Sequence, residues 1–153
     1  MKNIITLIAI CFVAINANAQ KVTQKMLEGK WMVIQLTMDG NVFDIKNNTV
    51  KLTPEYLAGF KKKTPDEANA YMVKQMNKEM TGNYFQFIGN VFEMKFLADT
   101  IDTEKYEVKE SNGKYFITSP SDEFEVRIEG RLLHAGTSAD GRELKLILEK
   151  QQL

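Results

Sequence analysis

The sequence predicts a mainly β fold: an antiparallel up-and-down barrel of about eight strands, with a helical insertion between the second and third strands. Three observations predict it. Apolar and charged residues alternate with a period of two over most of the chain beyond Tyr84. The tight-turn dipeptides Asp39-Gly40, Gly89-Asn90, Asn112-Gly113 and Asp140-Gly141 separate the alternating runs. Between about residues 53 and 82 the apolar period becomes that of a helix. Short connections make sequence neighbours antiparallel, and a meander with one apolar face buries that face and sheds its edges by curling. A twisted two-sheet sandwich is the alternative arrangement of the same strands.

The chain has 153 residues, enough for one domain, with 20 basic residues, 20 acidic residues and a single His. This balance offers no positive field for nucleic acid. Residues 1–19 read as a signal peptide: Lys2 at the start, an uncharged apolar run over 4–15, and Ala17-Asn18-Ala19 before a cleavage point at Gln20. The apolar run is short for a membrane span, which needs about 20 residues. The expected product is exported to the periplasm or beyond, with no stable membrane anchor once the leader is removed. Cys11 leaves with the leader, so residues 20–153 form a domain with no thiol, no disulfide and no thiolate metal site.

In chain order, Val22 to Leu27 suits one helical turn, with Thr23 as its cap. Residues 31–38 form a first strand, Asp39-Gly40 a hairpin turn, residues 42–45 the returning strand, and Asn47-Asn48 a second turn. Thr53-Pro54-Glu55 starts a short helix carrying Tyr56, Leu57 and Phe60. Thr64-Pro65-Asp66-Glu67 is a capping box opening a helix of roughly four turns, with an apolar stripe at Ala68, Tyr71, Met72, Met76 and Met80. Phe85 and Phe87, then Phe92, Met94 and Phe96, then Tyr106 and Val108, alternate with polar residues in successive strands. Residues 115–119 follow the Asn112-Gly113 turn. Phe124, Val126 and Ile128 alternate with charges. Residues 132–134 form a short strand, and Leu144, Leu146 and Leu148 mark the last.

The candidate ligand-binding residues follow from these faces. Phe85, Phe87, Phe92, Met94 and Phe96 form an aromatic wall that either lines a cavity or fills a core, with Tyr106 as a polar handle. Met72 and Met76 either dock the long helix or extend the wall. With Trp31 pointing inward, Val33, Gln35 and Thr37 share its side, so that Gln35 and Thr37 reach a ligand's polar end; a bulge in this strand would reverse the register partway. His134 has no spaced partner and reads as structural or surface. No cofactor, metal site or coupled acid–base pair is expected, so the chain is read as a non-enzyme.

Leu27-Glu28-Gly29-Lys30-Trp31, after a helical turn and at the head of the first strand, resembles the G-x-W signature of lipocalins and fatty-acid-binding proteins. With the meander through Asn112-Gly113-Lys114-Tyr115 and residues 143–148, the chain is similar to small secreted bacterial lipocalin-like domains, most of which have no assigned function. The resemblance implies that Gly29 and Trp31 form the barrel floor, with Lys150 or Arg142 laid over the indole. Fatty-acid-binding proteins place a helix pair after the first strand; here the pair is expected after the second. The implied function is non-catalytic binding of a small hydrophobic or amphipathic ligand. The alternative is a protein-interaction or inhibitor module with a filled core, its partner unknown, making contact through the insertion and the loops around Asn47 and Thr137.

Overall fold

The computed structural model describes residues 21–97, 100–139 and 141–152. The leader expected over residues 1–19 lies outside them, as does Asp140 of the last hairpin turn. In order, the elements are α1 (Gln24–Leu27), β1 (Gly29–Met38), β2 (Asn41–Asp44), β3 (Thr49–Lys51), α2 (Pro54–Ala58), α3 (Pro65–Met80), β4 (Tyr84–Ile88), β5 (Val91–Lys95), β6 (Asp102–Lys105), β7 (Glu107–Ser111), β8 (Lys114–Thr118), β9 (Glu123–Glu129), β10 (Leu132–Ala139) and β11 (Arg142–Lys150). No helix among the described residues is long and apolar enough to cross a membrane.

All eleven strands belong to one antiparallel sheet, in the order β6-β5-β4-β1-β11-β10-β9-β8-β7, with β2 and β3 branching from β1. The hairpin dipeptides act as the sequence predicts. Asp39 and Gly40 take φ of 49° and 80°, and Asn112 and Gly113 take 53° and 75°, the paired positive values that a two-residue turn needs to match strand twist. The sheet curls into a half-barrel. Phe85 on β4 and Phe124 on β9 stand four strands apart, about 19 Å on a flat sheet, yet their ring centroids are 5.7 Å apart.

Four expectations change. First, the helical insertion follows the third strand, not the second. Asn48, at φ 57°, returns the chain, and residues 49–51 pair with β2, setting Val50 beside Phe43. Second, the alternating run through Tyr106 is not one strand. It breaks at Tyr106 into β6 and β7, which occupy opposite edges of the sheet, and the Tyr106 amide donates instead to Asn90 O at 3.0 Å. The two edges are thus joined by a single residue. Third, the strand expected over 132–134 runs on to Ala139, because β9 and β11 flank it and supply ladder partners to residues of weak strand propensity.

The fourth change is in β1. Val33 pairs with Leu148 and Gln35 with Ile147, so Ile34 is an extra residue. The bulge carries Trp31, Val33 and Leu36 to the core and turns Gln35 and Thr37 to the opposite face. The kink is held by its bonds: Val33 N–H donates to Asn83 O at 3.0 Å, and Ile34 O accepts from Ile45 and Lys46 N–H at 2.9 and 3.2 Å.

The helices obey their caps. Thr64 Oγ1 accepts from Glu67 N–H at 3.3 Å while Glu67 Oε2 accepts from Thr64 N–H at 2.7 Å, closing the capping box. The Thr64 amide first, and then the Thr64 hydroxyl, hold the exposed Glu67 carboxyl below its usual range. Thr53 Oγ1 caps α2 by accepting from Tyr56 N–H at 3.2 Å. Thr23 precedes α1 but its side chain makes no capping bond. Ala68, Met76 and Met80 of α3 are buried and Met72 packs against the core beside them, so the stripe docks the helix over the β2–β3 branch.

Candidate functional site

The predicted residues separate into two groups. Phe85, Phe87, Phe92 and Tyr106 are buried and packed on one another: Phe87 lies 5.1 Å from both Phe92 and Tyr106, and Phe85 lies 5.2 Å from Phe92. Met76 is buried in the same cluster, and Met72, Met94 and Phe96 pack around it, half-buried. These side chains belong to one continuous apolar cluster, in which the aromatic rings of β4 and β5 and of Tyr106 pack on one another. Gln35 and Thr37 are not brought to them; the bulge at Ile34 sets both on the outer face.

Tyr106 is the polar exception within the core. Its hydroxyl is buried without a hydrogen bond of normal geometry. Burial, and then the negative charge of Glu28, push the phenol up to about 12, partly offset by the Gln24 amide. The unfolded chain loses this proton near pH 10 and the folded one near 12, so stability falls as pH rises through that window. Tyr106→Phe is expected to be neutral or stabilising at pH 7, since it deletes an unpaired buried group, and to flatten the alkaline fall. Urea unfolding of both proteins at pH 7 and near pH 11 checks this; a loss above about 1 kcal/mol at pH 7 would contradict it.

The single indole lies deep in the core and is fixed by polar neighbours. Trp31 is 1% exposed and donates through Nε1 to Leu27 O at 2.6 Å. Lys150 Nζ lies 5.0 Å from the ring centroid and donates to Met26 O at 3.1 Å. Of the two cations expected, Lys150 holds this place. Gly29, at φ +107°, adopts backbone that side-chained residues avoid, and it sits against the Lys150 stem, whose Cε would lie 3.5 Å from an added Cβ.

At the far side of the core, a hollow of about 330 Å³ opens where Phe92 and Met94 meet Asp102, Thr103, Glu104, Ser121 and Asp122. Glu104 Oε1 accepts from Ser121 Oγ at 2.5 Å and its Oε2 from Ser121 N–H at 3.3 Å. The hydroxyls of Ser119 and Ser121 hold its carboxyl below the usual range, whereas burial and then the charges of Glu104 and Asp102 raise that of Asp122.

The larger concavity lies on the outer face. It is an open trough of about 870 Å³ crossing β1, β11, β10, β9 and β8, and Gln35 and Thr37 line its β1 end. Its floor is β10, where His134, Gly136 and Ser138 face outward while Leu133 and Ala135 are buried. Register places one row of residues side by side: Thr37, Lys145, Gly136, Glu125 and Phe116. Lys145 and Glu125 flank Gly136 at a separation of about 10 Å, two strand spacings. They do not close over it. Lys145 Nζ pairs with Glu143 Oε1 at 2.8 Å on its own strand, and Glu125 Oε2 with Lys114 Nζ at 2.8 Å on β8. At one margin Glu129 faces both Arg127, at 3.2 Å, and His134 Nε2, at 3.3 Å.

Gly136 is the residue that sequence reasoning missed. Its backbone is ordinary strand, and an added Cβ would meet only Leu144 O at 3.8 Å and Lys145 Cγ at 4.0 Å. Neither conformation nor packing requires glycine there. A strand-interior glycine marks a bulge, a tight bend at a barrel corner or a place where something approaches the backbone closely, and the ladders of β10 carry no bulge. The available signal was the small-residue run Ala135-Gly136-Thr137-Ser138 between two well-patterned strands. No known family model matches the chain, and no curated protein is significantly similar to it.

Proposed function

We propose that this chain is an exported, non-catalytic, lipocalin-like binding protein whose interior is filled and whose contact surface is the outer trough. The lipocalin-like reading takes β6 and β7 as one strand bent at Tyr106. The main path then closes as eight strands, with β2–β3 as a side hairpin, and Gly29, Trp31 and Lys150 form its floor. The observation that carries the binding site is Gly136, a glycine the fold does not need at the bottom of the trough. The non-catalytic part of the reading comes from the sequence, whose single His has no spaced partner; His134 Nε2 lies 3.3 Å from the Glu129 carboxylate but makes no hydrogen bond to it.

The test separates fold from function. Gly136→Ala is expected to raise stability by about 0.5–1 kcal/mol, the usual cost of glycine inside a strand. Urea midpoints of the two proteins measure it. A lower midpoint for the alanine variant would mean that the fold itself demands glycine, and the trough would lose its support.

A second reading, binding of a small amphipathic molecule, is favoured by the 330 Å³ hollow, where Phe92 and Met94 border Asp102 and Glu104. Titration with laurate, followed by the shift of the Met94 methyl resonance, examines that reading separately.

A further inference from the structure

We infer that the outer trough takes a neutral, hydroxyl-rich chain, a short oligosaccharide, laid across the strands over Gly136. The inference rests on the reading of the trough as the contact surface and names its ligand class.

Three alternatives are excluded by the chemistry of the lining. Glu143 pairs with Lys145, Glu125 with Lys114 and Arg127 with Glu129, and Glu123 adds a further acid to the lining, so the trough presents no net positive field for phosphates or other polyanions. β10 is paired along its length by β11 and over Leu132–Gly136 by β9, which leaves only the three residues 137–139 open on the β9 side, too short a row for an extended peptide. Of the apolar residues along it, Val126, Ala135 and Leu146 are buried and Leu144 packs against the core, which leaves Phe116 at one end and Ile147 on one flank, too little for a lipid tail.

A sugar hydroxyl both donates and accepts, as do few other uncharged groups. It can therefore join a carboxylate–ammonium pair without burying net charge, and charge-assisted bonds are the strong ones. The bare peptide at Gly136 lets a flat ring approach where any side chain would hold it off, and Phe116 offers an aromatic face at the β8 end. From β1 to β8 the trough spans about 19 Å, which suits several linked rings rather than one.

The experiment uses the protein without its leader and a panel of linear neutral hexasaccharides: β-1,4-glucan, β-1,3-glucan, α-1,4-glucan and β-1,4-xylan. A heparin hexasaccharide and laurate are the charged and apolar comparators. Calorimetry gives affinity and amide chemical shifts give location. The expected result is saturable binding of at least one neutral hexasaccharide, with shifts in β10 and β11. Affinity should be little changed by salt and reduced about tenfold or more by Gly136→Val, while the urea midpoint of that variant is no lower than that of the parent. Neutral-sugar binding that Gly136→Val leaves unchanged overturns the inference, and so does a panel with no neutral binder. If heparin or laurate alone shifts the trough amides, the ligand class falls and the contact surface stands. If no probe shifts them, the inference and the reading beneath it fall together.

Discussion

Trp31→Ala is expected to cost about 3–5 kcal/mol, the range for deleting a large buried aromatic, and to leave the domain close to its unfolding midpoint, since natural domains hold only about 5–15 kcal/mol in reserve. The ring is 1% exposed, so nothing but a cavity replaces it. Two polar consequences add to the cavity. Leu27 O loses a 2.6 Å hydrogen bond at a buried position, and Lys150 loses the ring beneath its ammonium. Trp31→Phe separates these effects: it keeps most of the bulk, removes the N–H, and should cost clearly less. The chain has one Trp, so unfolding must be followed by far-UV circular dichroism rather than by indole fluorescence. A loss below about 1 kcal/mol for the alanine variant would mean that the indole contributes little, against the expectation for a core aromatic.

Phe85→Ala is the second large effect, again about 3–5 kcal/mol, for a different reason. Phe85 holds the curl together from inside. Its ring meets Phe92 at 5.2 Å and Phe96 at 6.3 Å from β5 and just beyond it, and Phe124 at 5.7 Å from the far wall. Edge-on and tilted aromatic pairs add about 0.5–1.5 kcal/mol each beyond burial. A double-mutant cycle between Phe85 and Phe124 should therefore return a coupling of about 0.5–1.5 kcal/mol. Thermal and urea unfolding measure it. Strict additivity of the two single losses would show that the walls do not support one another.

What the sequence made legible was local. Asp39-Gly40 and Asn112-Gly113 specify their turns through backbone φ alone, Thr64 and Glu67 cap α3 within one turn, and Phe124, Val126 and Ile128 alternate over a full strand. What it concealed depends on partners distant in the chain. The bulge at Ile34 exists only because β11 pairs with Val33 and then Gln35. The break at Tyr106 leaves no mark in the alternation, since Tyr106 and Val108 both belong to an apolar set while the flanking strands change sides of the sheet. The eight apolar candidates were legible as core-facing because burial follows periodicity; whether they line a cavity or fill a core stayed open, because alternation says which face is apolar and nothing about the space behind it. The trough was the least legible of all. Its floor is an absent side chain, and its walls come from five strands spread over most of the chain.

The pairing of β1 with β11 has a kinetic consequence. It brings residues from opposite ends of the described chain into register, Trp31 beside Lys150, in the middle of the sheet. Every other main-path ladder except β1–β4 joins strands that are consecutive in sequence. Hairpins on either side can form early and alone, but the central seam has to wait for the longest loop closure in the molecule, the kind of topology that folds in milliseconds to seconds rather than microseconds. Fusing the two ends through a short linker and opening the chain at Asn112-Gly113 would convert that seam into a hairpin. Such a circular permutant keeps the sheet order while shortening its slowest search.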